Sequence, residues 1–177
     1  MTAPSGPIAL AQEYLRLTVA ACPTFQSWTG APDAASAANR LYHEALPPPR
    51  DTEAAEHTRS ELETYRPFGL IWTAEQKGLV LAADAFGPAE YNFQASGELR
   101  MLLEQDVPEE IASDPAEIDL RFKNVVGKIM AEMCALAGRP GYLALRRLEI
   151  ETGPYRFHPD LVEAQGDAQG IVLSVFY

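Results

Sequence analysis

Basic residues are scarce in this chain: 14 Lys and Arg stand against 25 Asp and Glu, a formal net charge of −11 at pH 7. Proteins that grip nucleic acid neutralise phosphates with Lys and Arg, so the overall sign argues against direct, sequence-specific nucleic-acid binding. Cysteine is scarcer still. Cys22 and Cys134 are far apart, have no CxxC partner and sit within apolar helical patterns, so both read as buried free thiols rather than a disulfide or a metal pair. Long apolar runs are missing as well. None approaches the roughly 20 residues of a membrane span, so no membrane association is expected. No basic residue precedes the first apolar stretch after Met1 to Pro7, which argues against a signal peptide and leaves the cytoplasm as the expected place. There is no Gly-rich phosphate loop, GxSxG elbow or HExxH pair, so neither an enzyme nor a cofactor is expected.

What the chain does have is enough length and apolar content for one domain. Its 177 residues match the usual domain size of about 100–200, and 47% hydrophobic with 22% charged residues is an ordinary globular balance. The organising stretch is Asp114 to Gly138. At helical spacing Ile118, Phe122, Val125, Ile129, Met133 and Leu136 share one face, with Val126, Met130 and Ala137 widening it. Asp114 suits the N-cap, Pro115 the first helical position and Glu117 a capping box, while Gly138 and Pro140 stop the helix. A stripe that wide needs a sheet to lie on.

The flanking segments supply that sheet. Pro7 to Cys22 reads as a first helix, with Ile8, Ala11, Leu15, Val19 and Cys22 on one face and Leu10, Tyr14 and Leu17 beside it. Phe25 to Thr29 reads as a short strand carrying Trp28, and Asp33 caps an Ala-rich helix from Ala34 to Leu46 that includes His43. Three prolines, Pro47 to Pro49, end that helix and lead into an acidic segment, about 47–66, with few apolar residues and the marks of a projection. Strands then follow. Phe68 to Thr73 and Gly78 to Ala83 read as a hairpin around Glu75-Gln-Lys-Gly78, and Tyr91 to Gln105 alternates, with Gly97 marking a bulge or bend. Tyr142 to Thr152 reads as a strand turned by Gly153-Pro154, Tyr155 to Gly170 as a loop and Ile171 to Tyr177 as a last strand. That strand is apolar almost to its end, so it must be paired, in this sheet or with a neighbouring chain. The expected class is α+β, a mostly antiparallel sheet packed by the long helix and the N-terminal one.

Candidate chemistry is sparse. His43, His57 and His158 have no second ligand at metal spacing, and Asp106, Glu109, Glu110 and Asp114 lack the order and glycine of a calcium loop. Residues suited to a protein interface are more evident. Arg146 and Arg147 with Glu149 and Glu151 put alternating charge on a strand, a way in which subunits pair across an edge and equally the mark of a solvated face. Tyr155 and Arg156 lie in an aromatic loop of the composition found where proteins meet, and Phe176 sits on the terminal strand.

Taken together, the N-terminal helix, Ser27-Trp-Thr-Gly30, the Ala-rich helix with Asn39-Arg40-Leu41, the strand hairpin, the long helix and Leu145-Arg-Arg-Leu-Glu-Ile150 with a terminal strand resemble the tail-terminator and related head-to-tail joining proteins of long-tailed bacteriophages and prophages. The resemblance covers most of the chain outside Pro47 to Arg66. It implies a non-enzymatic subunit that forms a homo-oligomeric ring, typically a hexamer, at the head-proximal end of the tail tube. The implied partners are tail-tube and head-connector proteins, and the implied location is the host cytoplasm during assembly and then the virion tail. Another tail-tube or connector component fits the same plan. A small-ligand binder or an enzyme of unrecognised type, using Tyr155, Arg156 and His158, is the alternative from a different class.

Overall fold

The computed structural model describes residues 6–43, 66–74, 80–83, 93–107, 114–157 and 168–177. Its architecture is α+β, a largely antiparallel sheet packed by helices. The acidic segment, apart from Arg66, lies outside the described residues, as do His57 and His158.

Three short helical elements lead the chain. Helix α1, Pro7–Ala20, buries Ala11, Leu15, Thr18 and Val19. Thr18 is a tie point: its hydroxyl donates to the Tyr14 carbonyl at 2.6 Å and accepts the Leu143 N–H at 3.0 Å. The expected strand at Phe25 to Thr29 is instead a second helix, α2, Pro23–Thr29. Pro23 starts it, Gly30 ends it at φ 68, and the i, i+4 pair Phe25 and Thr29 faces the core. Asp33 caps α3, Ala34–Ala38, as expected, accepting the Ser36 N–H at 2.7 Å. That helix is shorter than the sequence suggests. After Asn39 and Arg40 the chain becomes a strand, β1 (Leu41–His43), so His43 sits on a sheet edge and not on a helix. Tertiary pairing with a neighbouring strand outweighs the local helical preference there.

The main sheet has the order β1-β2-β5-β7-β6, built from β1, β2 (Phe68–Thr73), β5 (Glu98–Asp106), β7 (Ala168–Phe176) and β6 (Arg147–Phe157). β1 runs parallel to β2, and every other pairing is antiparallel. The expected hairpin does not form. β2 pairs with β1 and β5, while β3 (Val80–Ala83) pairs with β4 (Phe93–Ser96) in a separate two-stranded sheet. The alternating run from Tyr91 to Gln105 is divided at Gly97, whose N–H and C=O exchange hydrogen bonds with Tyr177 at 3.1 Å each. The terminal strand is paired within this sheet and lies between β5 and β6, not at an edge.

β6 differs from expectation at both ends: it starts at Arg147 and not at Tyr142, and it passes through Gly153-Pro154 to include Tyr155, Arg156 and Phe157. The register shifts between Ile150 and Thr152 and again between Thr152 and Tyr155, so the Gly-Pro pair marks a bulge and not a turn. Gly153 has φ +113, and a Cβ there would fall 2.6 Å from the Gly170 carbonyl oxygen. Only glycine fits that approach.

Helix α4, Pro115–Leu136, covers the sheet with Ile118, Phe122, Val126, Ile129 and Met133 fully buried. Asp114 accepts N–H bonds from Ala116 and Glu117, both at 3.1 Å. The Glu117 carboxylate, expected to close a capping box, instead binds Arg121 one turn on, at 2.6 and 2.9 Å. Beneath α1, α2 and α4 lie Ile71, Leu99, Met101, Leu103, Ile171, Leu173 and Val175, a buried apolar layer. The other sheet face carries a smaller cluster of Phe68, Leu70 and Leu102 with Tyr42, Trp72 and Val172. Among the described residues no helix is long and apolar enough to cross a membrane.

Candidate assembly interface

The alternation Arg147-Leu-Glu-Ile150 dictates how β6 sits at its edge. Leu148 and Ile150 stand opposite Val175 and Leu173 on the helix side, while Arg147 and Glu149 stand opposite Phe176 and Ser174 on the far side. Among the described residues β6 pairs only with β7. The Arg147 guanidinium lies 4.1 Å from the centre of the Phe176 ring, and its Nε meets Glu149 Oε1 at 3.1 Å. Both charged side chains remain largely exposed, so this pair adds little to stability. Ile150 is 49% exposed, because its position on the outermost strand carries it beyond the helical cover.

All six residues expected at an interface lie on or next to this one strand. Arg146 immediately precedes β6 and donates its N–H to the Phe176 carbonyl at 2.8 Å. Tyr155 and Arg156 belong to the bulged half of β6, in register with Gly170 and Gln169. Further in, Glu151 accepts from the Ser174 hydroxyl at 3.2 Å and pairs with Arg100 at 3.0 Å, fastening β6 across β7 to β5.

A second, different surface lies beside β1 and β2, at the opposite edge of the sheet. Helix α1 packs against those two strands and turns Leu10, Tyr14 and Leu17 outward at i, i+4 and i+7. Tyr14 and Leu17 are both exposed. Next to this stripe Glu13 forms a two-pronged pair with Arg16, at 2.6 and 2.7 Å, and Arg16 also donates to the Ala38 carbonyl. The hydrogen bonds and charge of Arg16 hold the Glu13 carboxyl below its ordinary range. His43 approaches the same carboxylate at 3.7 Å. Partial burial still pushes the imidazole below its usual pKa, with Glu13 opposing that shift and Arg16 adding to it.

Some of the polar architecture had no clear mark in the sequence. Arg66, the last residue of the acidic segment, binds Glu104 at 2.8 Å and Asp106 at 3.0 Å, with the Arg66 and Glu104 side chains 3% and 2% exposed. Burial works against the guanidinium charge, but the hydrogen bonds and attraction of the two carboxylates raise its pKa above the ordinary value. A glutamate inside the apolar run Met101-Leu-Leu-Glu104 was the signal available for this pair. Trp28 donates to Gln105 Oε1 at 2.5 Å from the wall of a shallow groove of about 390 Å³, formed by α2 and α4 and lined also by Val125 and Lys128.

The two cysteines part company. Cys22 is buried, and desolvation, with the nearby Glu132 charge, lifts its thiol to about 12. Cys134, expected to be buried, is exposed on α4, because it falls outside the stripe that contacts the sheet. Among the described residues no group of three or more His, Cys, Asp or Glu gathers where a metal ion could be held. Two surfaces stand out among the described residues: a charged strand edge with an exposed isoleucine at one side of the sheet, and an apolar helical stripe at the other. No protein-family model matches the chain, and no curated protein is similar to it in sequence.

Proposed function

We propose that this protein is a structural assembly subunit of the tail-terminator kind, which joins copies of itself into a ring at the head-proximal end of a phage tail tube and offers a docking surface to the head connector. The observation that carries this reading is the presence of two unlike surfaces at opposite edges of one sheet: the β6 edge with Arg147, Glu149 and Ile150, and the α1 stripe with Tyr14 and Leu17. A closed ring needs a head-to-tail contact between two different patches on each subunit. The net charge of −11 suits a ring through which DNA passes, since like charge discourages adhesion. On this reading the subunit works in the host cytoplasm during assembly and then in the virion tail, with itself and the tail-tube and connector proteins as partners.

Multi-angle light scattering and negative-stain microscopy of the purified protein test the proposal. The expected result is a discrete ring-sized particle. A species that stacks without limit would assign the protein to the tube instead. A strict monomer at high concentration across all salt conditions would overturn the ring reading. Within a positive result, Tyr14→Glu and Ile150→Glu should each dissociate the ring, because each places a charge in one half of the contact.

A further inference from the structure

A strand at a sheet edge presents unpaired N–H and C=O groups, and natural proteins guard such edges with charge, bulges or short length. The two edges here are unequal. β1 has three residues, whereas β6 has eleven, and its bulged half from Thr152 onward is guarded by the two register shifts. Among the described residues the stretch Arg147 to Ile150 is regular and open.

The direction of its free backbone groups follows from the register. Gly97 and Tyr177 exchange both backbone hydrogen bonds, so odd-numbered residues of β7 turn their backbone toward β5 and even-numbered ones toward β6. Phe176 and Ser174 therefore bond Arg147 and Glu149, their partners in register. That leaves the N–H and C=O of Leu148 and Ile150 pointing out of the sheet.

We propose that the free protein pairs with a second copy of itself along β6, antiparallel, with Leu148 on the twofold axis. In this register Leu148 meets Leu148 and exchanges backbone hydrogen bonds with it. Arg147 of each copy then stands opposite Glu149 of the other, twice over by symmetry. Those two positions form non-hydrogen-bonded pairs, where facing side chains approach most closely. The neighbouring registers are excluded by charge: an axis at Glu149 sets Glu149 against itself, and an axis at Arg147 does the same with arginine. A one-residue slip would exchange the faces of the sheet. Arg146, whose N–H is already bonded to the Phe176 carbonyl, lies outside the paired stretch, so Ile150, 49% exposed in the single chain, sits at its end. The bulge beyond Ile150 ends the contact, which makes the dimer small and concentration-dependent.

This contact uses the same edge that the proposed ring uses, so the dimer and the ring exclude each other at β6. The dimer does not depend on the ring reading, and the two differ in mass.

Sedimentation equilibrium over a wide concentration range tests the pairing with four proteins besides wild type. Arg147→Glu and Glu149→Arg should each raise the dimer dissociation constant roughly tenfold or more, because each reversal sets like charges opposite one another at two sites. The double variant R147E/E149R should return to within about threefold of wild type, because only the twofold register at Leu148 restores both attractions. Leu148→Pro removes the outward N–H on the axis without touching a bond to β7. This variant should abolish the dimer while the circular dichroism spectrum stays unchanged. A wild-type protein that remains monomeric, single reversals that dimerise normally, or a double variant that fails to recover would each overturn the inference. A ring without this charge pattern would remove the dimer and leave the proposed function standing. A charge-dependent dimer that never yields a ring would do the reverse.

Discussion

On the helix side of the sheet, Ile71, Leu99, Met101, Leu103, Ile171, Leu173 and Val175 are all fully buried against α1, α2 and α4. On the opposite side Phe68, Leu70 and Leu102 share the surface with Arg66–Glu104 and Arg100–Glu151, charged pairs that cross from strand to strand. The first face holds the domain together by removing apolar area from water, in proportion to area and with little regard to direction. The second ties particular strands to one another, since an ion pair tolerates neither a slip nor an exchange of faces. One face supplies most of the stability, and the other pins the register.

The largest effect should come from the first face. Phe122→Ala, which empties a fully buried site against Trp28, should cost about 3–5 kcal/mol in urea unfolding. On the second face Arg66→Met should cost about 3 kcal/mol, since it leaves Glu104 buried without its main cation. Adding Glu104→Leu should recover most of that loss, as an apolar pair replaces an ionic one. If the double variant is as unstable as the single, the far face contributes stability and not only register, and the comparison fails. Asp114→Ala should cost about 1 kcal/mol by freeing the Ala116 and Glu117 N–H groups at the start of the covering helix.

The smallest effect concerns pH. His43 has a folded pKa below its ordinary value of 6.5, so as pH falls through that value the unfolded chain takes up a proton before the folded one does. Stability should therefore decline on acidification below about pH 6.5. His43→Gln should flatten that part of the stability profile, and an unchanged slope would show that His43 is not its source.

Long periodic runs were legible in the sequence; short elements and strand pairings were not. The α4 stripe begins at an Asp-Pro cap, so periodicity and capping agree; Ile118, Phe122, Ile129 and Met133 are buried as the spacing indicates, while Val126 is fully buried where Val125 and Leu136 are only partly so. Helix α2 is seven residues long, too short for a period to emerge, and its Phe, Trp and Thr residues carry strand propensity. The hairpin expected between Phe68 and Ala83 failed because strand pairing is a tertiary property: β2 finds β5 and β1, partners that no local turn signal names. Gly153-Pro154 has the composition of a turn yet lies in a bulge, since the same backbone freedom serves both. That Arg147 and Glu149 share a face was legible, because they alternate in sequence. The exposure of Ile150 was not, because apolar character says nothing about where the helical cover stops. Glu104 inside an apolar run signalled a buried partner, but nothing local named Arg66, 38 positions away, as that partner.

The contrast between the two thiols gives the molecule a single chemical handle. With Cys22 sealed away and its proton held to about pH 12, a maleimide near neutral pH reacts at Cys134 alone, on the outer flank of α4. A nitroxide attached there would mark each copy once, leaving the described contacts intact. Dipolar spectroscopy would then return one distance for a twofold pair and a graded set of distances for a ring.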